Sequence, residues 1–348
     1  MYKEYRKATM SERPRLTPAM ADVRRAIRDS WDQVNLVKGS TVAVACSGGA
    51  DSLALASAAL FEGQRADVRI IACIVNHNLQ EGSNEVALRT KGLLTELGFE
   101  AVEIMDVHIQ QNSLGMEAAA RNARYGALTE FAEKHSAVFT MLGHTLDDQA
   151  ETVLLGLARG SGAKSIAGMP TLSPDGKYLR PLLGITRKGT VSYCENLGLE
   201  FWSDPQNLDT KFSRVKARLK VLPVLEKELG PGIAQALART AEILQDDISY
   251  LEAQAEQAFI LVAKTTNNSV MIDVDAFLKL PKALANRVIH KSLSLMGAEP
   301  AKVQIDAVSD LVFNWHGQKP LTLPSVRVER KGKEIILKST KTMKPGAC

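Results

Sequence analysis

The stretch Thr41–Leu55 constrains the fold of this chain more than any other segment. Five small β-forming residues, Thr41–Ala45, lead into the glycine turn S-G-G-A-D-S, and an apolar helical pattern follows the turn. A strand, a glycine turn and a helix N-terminus in this order form an anion site, because unpaired N–H groups and the helix dipole favour negative charge there. The sequence therefore predicts a phosphate-binding loop formed by Ser47, Gly48, Gly49, Ala50, Asp51 and Ser52.

The acidic residue in this turn distinguishes it from the common phosphate-binding loops. The chain contains no G-x-x-x-x-G-K-[ST] motif, and no G-x-G-x-x-G follows a predicted strand. Asp51 places a carboxylate where a loop that only binds phosphate would avoid negative charge. Such a carboxylate is useful if it meets Mg²⁺ or an ammonium group, so Asp51 is a candidate magnesium ligand. The alternative is an ordinary strand-to-helix turn with Ser and Asp as capping residues.

Strands alternate with helices along the first half of the chain, which predicts a doubly wound, parallel, Rossmann-like α/β sheet. At 348 residues the chain is long enough for two or three domains. We predict an N-terminal tail and helix (1–40), a phosphate-binding domain (41–223), a helical linker (224–264) and a small α+β domain (265–348). Within the second of these we predict a short strand at Leu199–Trp202 and a helix at Thr190–Leu197.

Composition and charge restrict the class of protein. The net charge is only +4, but residues 1–30 carry eight Lys or Arg against four acidic residues, and residues 319–344 carry eight against two. Both ends are candidates for contact with a polyanion, although solvated basic faces are common. The four cysteines are widely spaced, and Cys46 and Cys73 lie in apolar strand patterns, so buried thiols are expected. We predict a cytoplasmic protein with no membrane span, because there is neither a signal-peptide pattern nor a long apolar run.

A second group of polar residues follows the fourth predicted strand. His144 ends that strand, and the helix after it carries Asp148 and Glu151 three residues apart on one face. Ligands collect at the carboxyl ends of parallel strands, so these side chains are expected near the phosphate loop. Carboxylates and an imidazole in that position suit Mg²⁺ or a cationic substrate. The alternative is a helix with ordinary acidic capping and a polar face.

The turn S-G-G-A-D-S resembles the pyrophosphate loop of the N-type ATP pyrophosphatases, which are adenine nucleotide alpha hydrolase-like in fold. The segment Gly143–Leu155 and the following L-A-R-G-S-G closely resemble the tRNA(Ile)-lysidine synthetase family. Further agreement comes from N-H-N-L at Asn76–Leu79, from R-N-A-R-Y at Arg121–Tyr125, and from Leu179–Arg214. The chain departs from the family's R-N-R-I-R pattern at Arg214–Arg218, which reads R-V-K-A-R.

The resemblance implies an ATP-dependent carbon–nitrogen ligase. Members of the family join lysine to the wobble cytidine of the CAU anticodon of tRNA(Ile), which changes codon specificity from AUG to AUA. The cytosine 2-carbonyl oxygen attacks the α-phosphate of ATP, pyrophosphate leaves, and the lysine side-chain amine then displaces AMP. The implied substrates are ATP, L-lysine and tRNA(Ile), with Mg²⁺ as the metal. The resemblance also implies that 41–223 is the PP-loop ATP-binding catalytic domain and that 265–348 is a tRNA-binding domain. Homodimer formation is compatible with the sequence, which does not define the oligomeric state.

The residues suggest roles in this scheme. Arg121 and Arg124 lie three apart on a helix and could brace phosphates or the lysine carboxylate, and Arg124 is predicted to take part in catalysis. Asp51 or His144 is expected to take the proton of the lysine amine, whose ordinary pKa is near ~10.4. Asp148 and Glu151, together with Arg121, are the predicted lysine-binding residues.

A basic run near the end of the predicted catalytic domain is the candidate tRNA-binding segment. Its residues are Lys211, Arg214, Lys216 and Arg218, continuing to Lys220. Arg214 and Arg218 are expected to share one helix face, with Val215, Leu219 and Leu222 opposite. A solvated helix face is the alternative.

Two other functions remain open. A tRNA thiolase of the same ATPase superfamily would need paired cysteines, whereas the cysteines here are widely spaced. A non-catalytic RNA-binding protein that responds to nucleotide would not need the carboxylates Asp51, Asp148 and Glu151 beside its loop.

Overall fold

The computed structural model describes residues 16–77, 82–107, 116–160 and 162–340. The chain divides into two compact units, Met1–Gln245 and Asp246–Cys348. The division falls inside a long helix, Ile233–Val262, within the segment 224–264 that the sequence assigns to a linker. The predicted domain limits themselves stay predictions. Asn78 and Leu79 of the N-H-N-L motif lie outside the described residues.

The described part of the first unit contains a parallel sheet of five strands in the order β3-β2-β1-β4-β5. The strands are β1 (Thr41–Ala45), β2 (Arg69–Asn76), β3 (Val102–Asp106), β4 (Thr140–Met141) and β5 (Tyr178–Leu179). The centres of β1 and β2 are apolar and buried at successive positions, as expected for strands covered on both faces. The predicted doubly wound parallel sheet is therefore confirmed.

Helices cover both faces of this sheet. They are α1 (Pro18–Gln33), α2 (Ala50–Ala66), α3 (Ser83–Leu97), α4 (Met116–Lys134), α5 (Leu146–Arg159), α6 (Ala163–Ile166) and α7 (Arg187–Leu197). Val42 and Val44 point into a large apolar cluster with α1, α2, α3 and α7. Ala43, which points to the other face, packs in a second cluster with Leu128 and Phe131 of α4.

The strand order creates a crevice at the carboxyl ends of the central strands β1 and β4. The chain passes from β1 outward to β2 and β3, and then returns to β4 on the other side of β1. The loops after β1 and β4 therefore diverge at neighbouring carboxyl ends, which is where ligands bind in sheets of this kind. Ser47–Ser52 follows β1 and His144–Asp148 follows β4, as the sequence predicts.

Two predicted elements in the rest of the first unit differ from those in the structure. The helix expected at Thr190 begins three residues earlier, at Arg187, because Thr186 caps it by accepting a hydrogen bond from Gly189 N at 3.1 Å. Leu199–Trp202 forms no strand, since Trp202 N donates to Gly48 O (2.9 Å) in the phosphate loop instead of joining the sheet. A 3₁₀ turn at Pro181–Gly184 precedes α7. After Trp202 come the 3₁₀ turn Pro205–Leu208, α8 (Ser213–Lys216), a π-helical turn at Ala217–Val221, α9 (Leu222–Leu229) and the long helix α10 (Ile233–Val262).

The second unit is a small α+β domain, as predicted. Its described strands form an antiparallel sheet in the order β6-β7-β10-β9-β8. The strands are β6 (Ala263–Thr266), β7 (Ser269–Asp273), β8 (Leu321–Leu323), β9 (Val326–Lys331) and β10 (Glu334–Ser339), and the helices are α11 (Val274–Phe277), α12 (Lys282–Leu295) and α13 (Lys302–Phe313). Phe277, Val288 and Ile335 lie in one apolar cluster that joins helices to sheet. Strand β6 was not expected, since the predicted helical linker extends to residue 264.

Two further expectations can be compared with the described residues. Cys46 and Cys73 are buried free thiols, as predicted, and Cys194 is a third. Across the described ranges, every helix is too short or too polar to cross a lipid bilayer.

Candidate functional site

The phosphate loop is built from backbone, and its shape depends on Gly48. This residue has a φ of +85°, a conformation that favours glycine, and a Cβ at this position would collide with Thr90 Oγ1 on α3. Gly49 is the N-cap of α2, which begins at Ala50, and Leu53 N makes an early helical hydrogen bond to Gly49 O at 3.0 Å. The first N–H groups of α2 therefore point toward the crevice with no partner in their own helix.

Ser52 holds the loop in this shape from inside. Its hydroxyl oxygen accepts a hydrogen bond from Ser47 N at 3.1 Å and donates to Gly49 O at 3.0 Å. The Ser47 hydroxyl lies 3.3 Å from the same oxygen and belongs to an exposed residue. Ser52 is thus a structural support of the predicted phosphate site, whereas Ser47 can donate outward.

Asp51 lies in the first turn of α2 and faces α7. It accepts a hydrogen bond from the Thr190 hydroxyl, and its Oδ2 lies 3.4 Å from Arg187 Nη2. Burial raises the pKa of this carboxyl, and the positive charge of Arg187 and the Thr190 hydrogen bond oppose that rise. The result is a partly buried carboxylate directly beside the phosphate loop.

Asp148 combines a capping role with a contact inside the crevice. Its Oδ2 accepts hydrogen bonds from Thr145 N (2.8 Å) and Thr145 Oγ1 (3.0 Å), which is the capping arrangement that the sequence left open. Its other oxygen, Oδ1, lies 3.3 Å from Arg187 Nη2. Burial raises the pKa of Asp148, but Arg187 and the Thr145 N–H outweigh it, so the net pKa is below the usual value. Asp148 is therefore a stable anion.

Glu151 lies one turn further along α5 and is completely buried. Its Oε1 is 2.6 Å from Arg218 Nε and its Oε2 is 3.4 Å from Arg218 Nη2, so the two side chains form a two-point ion pair. Burial raises the pKa of Glu151 above its usual value, and the hydrogen bond and positive charge of Arg218 oppose that rise only in part. Since Arg218 belongs to the predicted tRNA-binding segment, the structure links that segment to the predicted lysine-binding residue.

His144 lies in the loop between β4 and α5 and stays uncharged at neutral pH. Burial is the main cause that lowers its pKa to about 4, and the nearby charges of Arg180, Arg214 and Arg121 lower it further, against Asp148. Its Nδ1 is buried and makes no hydrogen bond within the described residues. A neutral imidazole with an unpaired nitrogen can accept a proton or a ligand hydrogen bond.

The predicted arginine pair on α4 lies on the basic side of the crevice. Arg124 Nε is 3.3 Å from His77 Nε2 at the end of β2, and burial lowers the pKa of Arg124. Arg121 lies over the Tyr125 ring at 5.0 Å, and its Nη2 donates to the Tyr125 hydroxyl at 3.3 Å. Arg121 and Arg214 both act electrostatically on Arg124 and on His144, so these groups share one region. Anionic groups would be favoured there.

The basic run after residue 210 separates into two sets. Arg214 and Arg218 share a face, as predicted, and turn inward to α5, where Arg214 Nη2 donates to Thr152 Oγ1 at 3.2 Å. Lys211 and Lys216 are exposed. Of the three apolar residues predicted on the opposite face, Val215 and Leu222 are buried and Leu219 is exposed. The π-helical turn changes the angular spacing at Leu219, which explains the difference.

Arg187 and Thr190 are the site residues that the sequence analysis missed. Both belong to the first turn of α7, which has few apolar residues and so no clear helical periodicity. The usable signal was Thr186, a favourable N-cap residue just after the 3₁₀ turn.

The side of the crevice that contains Asp51 and Asp148 suits a cation. Whether this site fits Mg²⁺ depends on Asp51. Its carboxylate supplies the oxygen ligands that Mg²⁺ prefers. Arg187 already lies beside that carboxylate, and no group of three or more His, Cys, Asp or Glu within the described ranges is arranged to hold a metal. A magnesium ion would therefore be held by Asp51 together with substrate phosphates, and this role stays a prediction.

Comparison with known proteins now defines the class. Residues 21–225 match the family model described as the PP-loop domain, and residues 272–332 match the TilS substrate binding domain. The phosphate loop and the crevice thus belong to a PP-loop domain, and most of the second unit corresponds to a substrate-binding domain.

Two curated relatives specify the family further. A tRNA(Ile)-lysidine synthase from Leifsonia xyli subsp. xyli is 47% identical over 298 residues, which cover 85% of this chain and 89% of that protein. A tRNA(Ile)-lysidine synthase from Thermobifida fusca is 45% identical over 313 residues, covering 89% and 93%. The chain belongs to the tRNA(Ile)-lysidine synthase family.

A solved structure agrees in fold. The U34-tRNA thiolase NcsA from Methanococcus maripaludis, with its 4Fe-4S cluster, superposes with a TM-score of 0.54 at 22% identity, covering 65% of this chain and 80% of that chain. At this identity the likeness concerns the fold of the PP-loop unit alone.

Proposed function

We propose that this chain is a carbon–nitrogen ligase that uses ATP to join L-lysine to the wobble cytidine of the CAU anticodon of tRNA(Ile). One observation carries the proposal. Three features lie together at the carboxyl ends of the strands: the Ser47–Ser52 loop, the acidic residues Asp51 and Asp148, and the arginines of α4 and α8. Membership of the tRNA(Ile)-lysidine synthase family supports it.

The first step is adenylation of the tRNA. The cytosine 2-carbonyl oxygen attacks the α-phosphate of ATP, and the bond to the β-phosphate breaks to release pyrophosphate. Negative charge develops on the leaving pyrophosphate, and the free N–H groups at the start of α2 stabilise it there. Mg²⁺ at Asp51 would supply further positive charge to the phosphates.

The second step transfers lysine. Its side-chain amine attacks C2 of the activated cytosine, and AMP leaves with the former carbonyl oxygen. Asp148 is an anion that attracts the ammonium form, and Arg121 and Arg124 can bind the lysine carboxylate. The Glu151 carboxylate is fully covered and paired with Arg218, so we assign it a supporting role at this site. The attacking amine must lose a proton, and Asp51 or His144 accepts it.

The environment brings these two candidate bases closer in basicity. Burial raises the pKa of Asp51 above that of an ordinary aspartate, and burial lowers the pKa of His144 to about 4. Neither group is a strong base, so the amine itself must be made less basic by desolvation in the crevice.

The decisive experiment supplies the purified protein with ATP, labelled lysine and a set of tRNA transcripts. We expect lysine incorporation and equimolar AMP only with the tRNA(Ile) that carries a CAU anticodon, and none with the same tRNA carrying a GAU anticodon. Sulfur incorporation from a persulfide donor would instead support a tRNA thiolase. Binding of tRNA with no AMP under any condition would support a non-catalytic RNA-binding protein.

A further inference from the structure

One nitrogen atom joins the two carboxylates at the centre of the crevice. Arg187 Nη2 lies 3.4 Å from Asp51 Oδ2 and 3.3 Å from Asp148 Oδ1. The three side chains come from α7, α2 and α5, which are far apart in sequence. Arg187 therefore connects the helix that begins at the phosphate loop with the helix that carries the predicted lysine-binding residues.

The backbone fixes the place from which Arg187 reaches. Arg187 N donates to Asp147 Oδ2 at 2.7 Å, and Leu146 N donates to Ile185 O at 2.9 Å, so the starts of α5 and α7 are bound to each other. On the same turn, the Thr190 hydroxyl donates to Asp51, and its oxygen lies 2.8 Å from Arg187 O. The first turn of α7 is thereby bound to Asp51 and to Asp147, the neighbour of Asp148, through atoms other than the guanidinium.

Electrostatics explains why a cation is needed between these groups. Two carboxylates in one crevice disfavour each other's ionisation, and a cation between them allows both to stay charged. Of the charged groups that lower the pKa of Asp51 or Asp148, Arg187 has the largest effect. Other groups that interact electrostatically with this pair are Asp147, His144, Glu151 and Arg218.

The contact leaves the carboxylates accessible. The side chains of Asp51, Asp148 and Arg187 remain 21%, 12% and 30% exposed. A substrate can therefore reach part of each carboxylate while Arg187 stays in contact with both. This differs from the Glu151–Arg218 pair, in which the carboxylate is fully covered.

We propose that Arg187 is a positioning residue: through a single nitrogen it holds Asp51 and Asp148 at a fixed separation, so that both face the reacting groups together. Its catalytic consequence rests on the proposed function, whereas its effect on the two carboxylates does not. Because one nitrogen makes both contacts, a lysine at this position keeps the essential positive charge, although it lacks the planar guanidinium.

The test compares Arg187→Gln, Arg187→Lys and the matched control Lys188→Gln, which removes the exposed positive charge at the next residue of α7. We measure kcat and KM for AMP formation over a range of pH, tRNA affinity, and the titration of Asp148 by carboxyl NMR without substrates. In Arg187→Gln we expect kcat to fall at least ~10-fold and the acidic limb of its pH profile to move to higher pH, with tRNA affinity unchanged. Arg187→Lys should recover part of kcat, and Lys188→Gln should match the wild type.

The NMR titration separates the two proposals. If wild-type protein forms no AMP, the proposed function fails, but Arg187→Gln should still raise the pKa of Asp148 relative to wild type. An unchanged Asp148 titration in Arg187→Gln overturns the positioning role whatever the activity. The positioning role is also overturned if Arg187→Gln has the kcat and pH profile of the wild type. It is overturned as well if Arg187→Lys and Arg187→Gln lose kcat equally. If Arg187→Gln does not fold, Arg187→Lys carries the test through its own Asp148 titration and kcat.

Discussion

At the scale of single residues, the site combines groups with opposite pKa shifts. Asp51 is made less acidic by burial, Asp148 is kept anionic by Arg187 and Thr145, and His144 is kept neutral. Each shift has a named cause in the surroundings of the side chain, so each can be tested by changing one residue. Perturbed groups that cluster in a crevice are typical of active sites.

Asp51 is the residue whose loss should affect chemistry most directly. Asp51→Asn keeps the size of the side chain but removes the charge that meets Mg²⁺ or the ammonium group. We expect AMP formation to fall by about 10²-fold or more, with tRNA affinity largely retained, as measured by AMP release and filter binding. The matched control is Asp67→Asn at the exposed C-terminal end of α2, where the left-handed φ of 58° suits asparagine. Equal loss of AMP formation and tRNA affinity would mean that Asp51 supports the fold or the RNA contact instead.

His144 makes a prediction about stability and pH. Its folded pKa of about 4 lies below the ordinary 6.5, so at intermediate pH the unfolded chain binds a proton that the folded chain does not. The free energy of unfolding should therefore decrease as the pH falls from about 6.5 to about 4. In His144→Gln this part of the decrease should disappear, whereas His290→Gln, exposed on α12, should keep the wild-type slope. Parallel pH curves for His144→Gln and wild type, from urea unfolding, would contradict the assigned environment.

At the scale of helices and strands, the ion pair between Glu151 and Arg218 joins α5 to the segment around the π-helical turn. A buried carboxylate that loses its partner is strongly destabilising, whereas replacing both partners by apolar residues of similar size is much less so. This asymmetry gives a way to test whether the pair organises that segment.

We expect Arg218→Met to lower the free energy of unfolding by about 3 kcal/mol, because Glu151 is left buried and unpaired. The double variant Glu151→Leu with Arg218→Met should recover much of that loss. Lys216→Met, which removes an exposed charge two residues away, should change stability by less than about 0.5 kcal/mol. Additive losses in the double variant, measured by denaturant unfolding, would show that the two side chains are not coupled.

Local patterns predicted the elements better than the contacts between them. The turn Ser47–Ser52 could be found because strand, glycines and helix start are adjacent in sequence. The start of α7 was missed because Arg187–Gly189 has no apolar periodicity, and the strand expected at Leu199–Trp202 failed because Trp202 is bound by the phosphate loop. The link between Asp51 and Arg187 spans more than a hundred residues, so only the three-dimensional fold brings them together.

At the scale of the whole molecule, positive charge has two different uses. Arg214 and Arg218 turn inward to α5, while Lys211 and Lys216 remain exposed to solvent. The second unit carries further basic residues on β9 and β10 and matches a substrate-binding domain over residues 272–332. The exposed lysines are therefore the better candidates for phosphate contacts, and the inward arginines for supporting the site.

The salt dependence of tRNA binding distinguishes these uses. Each phosphate contact that is lost lowers the slope of log Kd against log salt concentration by about 0.7 to 0.9, because fewer counterions are released. We expect Lys211→Gln with Lys216→Gln to lower this slope by up to about 2 and to weaken binding at low salt, with the rate of AMP formation at saturating tRNA unchanged. The charge-matched control, Lys38→Gln with Lys91→Gln, removes two lysines that are exposed elsewhere on the first unit. If both double variants change the slope equally, the effect comes from net charge alone. If neither changes it, the tRNA does not contact the segment that contains Lys211 and Lys216.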